Sequence, residues 1–312
     1  MTTEKKAAYG GQAVIEGVMF GGKHHYVTAI RRKDQSIDYF HVPRKQNKSL
    51  SAMKKIPFIR GIVAIIEASA NGSKHLNFSS ERYDIDPKDD DKLNDFSQPS
   101  QLAMWFGVAL LGVLSFVFGK FVFTLIPVFL AALFHPIVSS DMGQILLEGF
   151  FKLILLLTYI YAISFTPLIK RVFQYHGAEH KVINAYENNL PLTVENVQNS
   201  TRLHYRCGSS FILFTVIVGV FVYMLVPVEP LWVRVVNRLL LIPVVLGISF
   251  EVLQLTNKVR NIPILKYFGY PGLWLQLLTT KEPTDDQVEV AIASFKRLLQ
   301  LENNQTKENE IV

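Results

Sequence analysis

Four long apolar segments constrain the fold of this chain more than any other feature of its sequence. They lie at residues 102–134, 153–169, 209–228 and 239–255, and the charges within them are Lys120 and Glu251. A membrane-spanning helix needs about 20 mainly apolar residues, and four such helices are hard to bury without lipid. The sequence therefore predicts a mainly α-helical polytopic membrane protein, with about four transmembrane helices and a small α+β cytoplasmic domain.

The distribution of positive charge predicts how these helices are oriented. The loop at 135–144 holds no Lys or Arg, whereas the loop at 170–208 holds five, and Lys258, Arg260 and Lys266 come soon after the last span. Because Lys and Arg concentrate on the cytoplasmic side, we expect loop 170–208 and both termini to be cytoplasmic. The N-terminus lacks an apolar core, so no cleavable signal peptide is predicted.

The polar parts of the chain divide it into three regions. Residues 1–100 are predicted to be a cytoplasmic α+β region, 101–257 the transmembrane domain with its cytoplasmic loop 170–208, and 258–312 a cytoplasmic amphipathic helix and a disordered tail. In the first region, residues 25–33 and 36–45 are predicted to form the two strands of a hairpin, and residues 56–78 are predicted to be helical. In the last region, apolar residues recur every three to four positions along 284–301 and form one face of a helix. We expect this helix to pack on the N-terminal region.

Charge and cysteine content narrow the choice of partners. The net charge of +6 lies mainly in the segments predicted to be cytoplasmic. It fits attraction to anionic membrane lipid rather than binding of nucleic acid. Cys207 is the one cysteine, so an intramolecular disulfide is impossible. The oligomeric state is not predictable from these features.

The sequence YHGAEHKVINAYE, residues 175–187, contains the pattern H-x-x-E-H. On a helix, His176 and His180 lie one turn apart on one face, which suits two ligands of a zinc ion. Glu179 then takes the place of the glutamate that activates water in inverted zinc-protease motifs. A plain solvated helix face is the alternative interpretation of the same residues.

Neighbouring residues favour a metal site over that alternative. Glu187 and Asn184 return to the face of His176 along the same helix. His204 and Cys207, in RLHYRCGSSF, add an imidazole and a thiol within the same loop. The candidate ligands of a divalent metal, most simply zinc, are therefore His176, His180, Glu187, His204 and Cys207, with Glu179 as general base. In a rival chemistry, Cys207 is a nucleophile with His204 or His180 as its base.

Two further carboxylates are candidates for a supporting role. Glu251 lies inside the fourth apolar segment, where an ionisable group is a functional candidate by default. It is predicted to be a ligand, a partner of a histidine, or a neutral acid bonded between helices. Glu16 is the one polar group of GGQAVIEGVMFGG that suits a site. His24, His25, His41, His75 and His135 lack a partner at ligand spacing and are expected to be ordinary surface or interface residues.

Several motifs in one order give this chain a family resemblance. GGQAVIEGVMFGG, IRGIVAIIEA, YHGAEHKVINAYE, HYRCGSSF and TTKEPTDDQVEVAIASF resemble the DUF1385 (YqhQ-like) family of bacterial membrane proteins. The resemblance covers nearly the whole chain. It implies a bacterial plasma (inner) membrane and a metal-dependent enzyme, without naming a reaction. Tyr205 stands where the family more often has the proline of His-Pro-Arg-Cys-Gly, and both potential ligands are kept.

Three functions follow as hypotheses from these patterns. The first is a membrane-embedded, zinc-dependent hydrolase with its site at the cytoplasmic interface, acting on a lipid, a lipid-linked precursor or a membrane peptide. The second is a non-catalytic accessory protein of a membrane-protein complex, active in membrane-protein assembly or envelope regulation, with a structural His/Glu/Cys cluster. A transporter ranks third, because only Glu148, Lys152 and Glu251 supply polar groups within the predicted spans.

Overall fold

The N-terminal part of the chain forms a small antiparallel sheet. The computed structural model describes residues 9–44, 48–90, 118–119 and 121–311, without the side chains of 48–50 and 306–311. The sheet has the order β1-β2-β3-β4. Its strands are β1 Gly10–Val14, β2 Gly17–Gly21, β3 His25–Arg31 and β4 Ile37–Pro43.

The pairing of these strands follows the local sequence. The β3–β4 hairpin runs in register from His25 opposite Pro43 to Arg31 opposite Ile37, so the predicted hairpin is confirmed. Strands β1 and β2 are joined by a tight turn in which Glu16 takes a left-handed backbone conformation with φ of 52°. Gly17 follows this turn, and a Cβ there would lie 2.1 Å from the carbonyl oxygen of Ala29 on the neighbouring strand.

The remaining described elements are helical. They comprise α1 Lys48–Met53, α2 Ile59–Arg82, α3 Ile126–Leu133 (preceded by a π-helical turn at Phe121–Leu125), α4 Asp141–Ile163, α5 Pro167–Glu187, α6 Val194–Gln198, α7 Gly208–Tyr223, α8 Leu231–Leu240, α9 Ile242–Lys258, α10 Tyr270–Thr279 and α11 Asp285–Ile311. Short 3₁₀ turns lie at Pro87–Asp89 and Leu265–Gly269. The protein is thus mainly helical with one small sheet, as predicted.

One apolar core joins three distant parts of the chain. Phe20 and Val27 of the sheet, Val182 of α5, and Phe295 and Leu298 of α11 are fully buried in it together. The C-terminal helix therefore packs on the N-terminal region, as its apolar face predicts. The backbone of α11 continues to Ile311, so the prediction of a disordered tail after residue 301 is wrong for the described part.

Helix α2 packs on the sheet through an unexpected histidine. His75 is fully buried, and its Nδ1 lies 2.7 Å from the hydroxyl of Thr28 on β3. Burial lowers the pKa of His75 to about 4. His75 was predicted to be an ordinary surface or interface residue, and the apolar face of α2 carries its ring into the interface with β3.

The helices give only partial support to four membrane spans. Among the described residues, α4 is the one helix that is both long and apolar enough to cross a membrane, and α8 with α9 passes the same criteria as a pair bent by 52°. Helix α7 is apolar but has 16 residues. Residues 102–117 and 120 of the first apolar segment lie outside the described residues, as do residues 91–101 before it. The total of four spans stays a prediction.

A buried carboxylate of α4 pairs with two arginines of another helix. The carboxylate of Glu148 accepts hydrogen bonds from the guanidinium groups of Arg234 and Arg238, at 3.2 Å and 2.9 Å. All three of these side chains are buried. Helix α8 therefore carries both arginines into its interface with α4.

Candidate metal centre

Two histidines in the middle of α5 have neighbouring rings. His176 and His180 are one turn apart, and their ring centroids are separated by 4.5 Å. Gly177, between them, lets the main chain of the following segment approach, since a Cβ there would lie 2.1 Å from the carbonyl oxygen of Lys281. The helix, predicted from sequence, is thus held against the segment that follows α10.

Main-chain carbonyl groups fix the orientation of both imidazoles. Nδ1 of His176 lies 2.9 Å from the carbonyl oxygen of Thr279, and Nδ1 of His180 lies 2.6 Å from that of Arg202. A carbonyl oxygen only accepts hydrogen bonds, so each Nδ1 carries the proton and each Nε2 is left with its lone pair. This is the arrangement found behind metal-bound histidines.

Cys207 completes a cluster of three potential ligands. Its Sγ lies 3.2 Å from Nε2 of His176 and 3.0 Å from the hydroxyl of Ser209. The ligand atoms of His176, His180 and Cys207 all lie within 4.8 Å of one another. Two imidazole nitrogens and one sulfur that converge in this way fit a tetrahedral zinc ion with one position open.

Glu179 lies beside this cluster in a buried position. Its Oε2 is 4.0 Å from Nε2 of His176. Burial raises the pKa of Glu179 to about 7, although the electrostatic interaction with the nearby imidazole of His176 and a hydrogen bond from the main chain of Gly11 act in the opposite direction. Gly11 of β1 provides the space, because a Cβ there would lie 2.8 Å from Cγ of Glu179. The carboxyl group is thus positioned to exchange a proton near neutral pH.

His204 and Glu187, both predicted as ligands, form a neighbouring group of their own. The buried ring of His204 is 5.7 Å from that of His180, but its Nε2 faces Oε1 of Glu187 at 3.8 Å. Glu187 also pairs with Arg206 and Arg260. His204 and the nearby guanidinium of Arg206 lower the pKa of Glu187 to about 2. This ionised carboxylate is neutralised by its own partners, so it does not join the cluster of three.

Buried amides hold the loop between α6 and α7 in place. Asn184 donates hydrogen bonds to the carbonyl groups of Thr201 and Leu203 at 2.7 Å and 3.1 Å. Gln276 of α10 bonds both the main-chain N–H and the carbonyl of His204, each at 2.8 Å. Asn184 is therefore a positioning residue. The role of Gln276 was missed, because nothing in the local sequence indicates which loop it contacts.

The two remaining candidates lie away from the cluster. Glu251 accepts hydrogen bonds from the guanidinium of Arg60 and from the main-chain N–H of Phe58, so it links α9 to α2 and is not a ligand. Glu16 pairs with Arg171 at the beginning of α5 and accepts a hydrogen bond from the hydroxyl of Tyr175 at 3.3 Å. Both carboxylates connect elements of the fold.

Fold and site together define a mainly helical protein with one long apolar helix, a small antiparallel sheet and a His-His-Cys cluster formed by α5 and the residue before α7. The chain belongs to the DUF1385 family, described as a protein of unknown function, whose model matches residues 56–301. It is 73% identical over 296 residues to the "Uncharacterized protein YqhQ" of Bacillus subtilis (strain 168), an alignment that covers 95% of this chain and 93% of that relative. No solved structure matches it. The family resemblance seen in the motifs is thereby confirmed.

Proposed function

We propose that this protein is a metal-dependent hydrolase of the bacterial plasma (inner) membrane, with its site at the cytoplasmic interface. The observation that carries the proposal is the pair of carbonyl groups behind His176 and His180. With each Nδ1 bonded to a carbonyl, both Nε2 atoms remain available as ligands in a cluster that includes the thiol of Cys207. Such orientation has a cost in conformational freedom that a solvated helix face would not require.

The donor set favours zinc over harder cations. Imidazole and thiolate ligands suit zinc, whereas magnesium and calcium prefer oxygen ligands. A bound divalent ion would act as a Lewis acid and would lower the pKa of water to roughly 7. His176, His180 and Cys207 would hold the ion, and the Nδ1 hydrogen bonds would keep the rings in place.

Glu179 supplies the proton transfer that hydrolysis requires. In this proposal a water oxygen forms a bond to the electrophilic carbon of the substrate while Glu179 accepts the proton of that water. The bond from the same carbon to the leaving group then breaks, and Glu179 returns the proton to the leaving group. A carboxyl group whose pKa is about 7 is suited to both transfers.

The membrane assignment rests on helix α4 and on charge. Leu146, Phe150 and Ile154 of α4 are exposed large apolar side chains spaced four residues apart, which is the surface expected to face lipid. The Lys and Arg residues of 170–208 are expected on the cytoplasmic side. We therefore propose a multi-pass protein with cytoplasmic termini and about four spans.

Metal content and turnover test the proposal together. The Glu179→Gln variant should keep the zinc content of the wild type while losing hydrolysis of a panel of acyl esters and amides by at least about 100-fold. His176→Ala and His180→Ala should lose zinc. His41→Ala, on strand β4 away from the cluster, is the matched control and should retain both. Equal loss of zinc and of folded protein in all the cluster variants would contradict the proposal.

A second chemistry is favoured by the short distance between His176 and Cys207. With Nε2 at 3.2 Å from Sγ and Nδ1 bonded to a carbonyl, His176 has the geometry of a base that activates a cysteine nucleophile. The sequence had suggested His204 or His180 for this role. Iodoacetamide separates the two cases: zinc should protect Cys207 from alkylation, whereas a nucleophilic cysteine would react and lose activity without any metal.

The non-catalytic alternative draws on the contacts around Glu187. Glu187 pairs both with Arg206, in the loop before α7, and with Arg260, which follows α9. These ion pairs hold the loop against the segment that follows α9. An accessory protein would use this region as a structural clasp. Its signature would be a stoichiometric partner co-purified from membranes, with no zinc in the purified complex.

A further inference from the structure

An apolar cavity adjoins the candidate centre. It has a volume of about 560 Å³, and the side chains of His176, Ser209 and Thr279 line part of it. These residues are in direct contact with the cluster. The hydroxyl of Ser209 contacts Sγ of Cys207, and the main-chain carbonyl of Thr279 accepts a hydrogen bond from Nδ1–H of His176. What occupies this cavity would therefore meet the candidate ligands.

The cavity runs along the helices away from that end. On α4 its lining extends from Ile163 back to Lys152, and on α7 from Ser209 to Tyr223. At a helical rise of 1.5 Å per residue these stretches are roughly 16 Å and 21 Å long. The hydrocarbon part of one bilayer leaflet is about 15 Å thick. The cavity is therefore about as long as the acyl chain of a lipid in one leaflet.

The wall of the cavity is mainly apolar and is open on one side. Leu156 and Ile160 of α4 and Val216 of α7 are buried lining residues. Tyr159 and Ile212, also in the lining, are 49% and 45% exposed. An opening between two helices that face lipid would admit a chain sideways from the bilayer.

The lining of the cavity indicates what kind of ligand suits it. The wall between Lys152 and His176 is mainly apolar, and a hydrocarbon chain carries no polar group that would need a hydrogen-bond partner there. At the other end, the side chains of His176, Ser209 and Thr279 supply polar contacts for the linkage of an amphiphile.

We propose that this cavity binds the single acyl chain of an amphiphilic substrate and places its polar linkage at His176 and Cys207. This inference rests on the proposed hydrolase function and names its substrate class. Lys152, whose ammonium lies 5.9 Å from the ring centre of Tyr223, marks the distal end, so chains longer than the cavity should be disfavoured.

Photo-crosslinking with a fatty acid tests the proposal. The probe is stearic acid with a mid-chain diazirine, added to the full-length protein in phosphatidylglycerol–phosphatidylethanolamine nanodiscs, and labelled residues are mapped by mass spectrometry. We expect labels on Leu156, Ile160 and Val216 well above those on Phe221, which faces outward on α7 with 64% exposure.

Two variants block the cavity, and one serves as the control. Thr215→Trp fills the middle of the lining, and Ile212→Trp narrows the opening. Each should lower labelling of the cavity at least fivefold, while Phe221→Trp should leave it unchanged. Gel filtration and thermal unfolding identify any variant that fails to fold, in which case the other cavity variant decides the result.

The outcomes separate this inference from the proposed function. Cavity labelling that Thr215→Trp removes supports the acyl-chain site, and an absence of zinc in the same protein would then contradict only the hydrolase. Zinc-loaded protein labelled no more in the cavity than at Phe221 would overturn the acyl-chain site while leaving the metal centre standing. Preferential cavity labelling by a photo-leucine transmembrane peptide would also overturn it.

Discussion

Nδ1 of His180 lies 2.6 Å from the carbonyl oxygen of Arg202, across the cleft between α5 and the loop that precedes α7. This one hydrogen bond sets the tautomer of the ring and leaves Nε2 available as a ligand in the cluster with His176 and Cys207. Asn184, on the same helix, holds the same loop through the carbonyl groups of Thr201 and Leu203. The polar contacts of α5 thus stabilise the site before any ligand binds.

Gly11→Ala should destabilise the protein by disturbing the contact between β1 and α5. The new Cβ would lie 2.7 Å from the carbonyl oxygen of Met19 and 2.8 Å from Cγ of Glu179, so the strand or the carboxyl group must shift. Overpacking of this kind costs about 1–3 kcal/mol. Thermal unfolding of purified protein measures the change.

Gly10→Ala is the matched control for this variant. A Cβ at Gly10 would meet nothing within 4 Å, so its unfolding temperature should stay within the error of the wild type. Equal destabilisation by the two substitutions would show that the effect of Gly11→Ala does not come from its contact with Glu179.

Acid should destabilise the protein partly through His75. Because its folded pKa is about 4, below the ordinary 6.5, the neutral ring contributes stability above pH 6.5 that is lost as the pH falls toward 4. A shift of this size corresponds to about 3 kcal/mol. The free energy of unfolding of His75→Asn, which keeps a polar group near Thr28, should therefore change less between pH 7 and pH 4 than that of the wild type.

The comparison across pH decides this prediction. A constant difference in unfolding free energy between His75→Asn and the wild type from pH 7 to pH 4 would contradict it. His41→Asn, on strand β4, provides the control for histidine substitution and should track the wild type across the same range.

Glu148→Ala should be among the most damaging substitutions within the helices. It would leave Arg234 and Arg238 buried without their carboxylate, and breaking a buried ion pair from one side costs about 3–5 kcal/mol. Glu289→Ala removes a carboxylate from an exposed pair with Arg31, which should cost about 1 kcal/mol or less. Denaturant titration in detergent compares them, and similar losses would contradict the buried role of Glu148.

Local pattern in the sequence was sufficient for part of this structure. The β3–β4 hairpin, the C-terminal helix and the shared face of His176 and His180 all follow from periodicity over a few residues. Helix α4 begins earlier than the apolar run suggests, since the hydroxyl of Ser140 caps it by accepting a hydrogen bond from the N–H of Gly143 at 3.2 Å. Such a cap depends on one side chain and not on hydropathy.

Pairing between distant elements could not be predicted in the same way. His204 and Cys207 are three residues apart, yet only Cys207 meets the two histidines, because Gln276 and Glu187 direct His204 elsewhere. The partner of Glu251 proved to be Arg60. Opposite charges identify many possible pairs, and tertiary packing selects among them.

X-ray absorption at the zinc edge tests the central claim most directly. Purified protein loaded with one equivalent of zinc should show one sulfur neighbour at about 2.3 Å and nitrogen or oxygen neighbours at roughly 2.0–2.1 Å. The sulfur shell should disappear in Cys207→Ser and persist in the control Ser209→Ala. A shell of oxygen alone in the wild type, or no retained zinc, would contradict a metal centre at His176, His180 and Cys207.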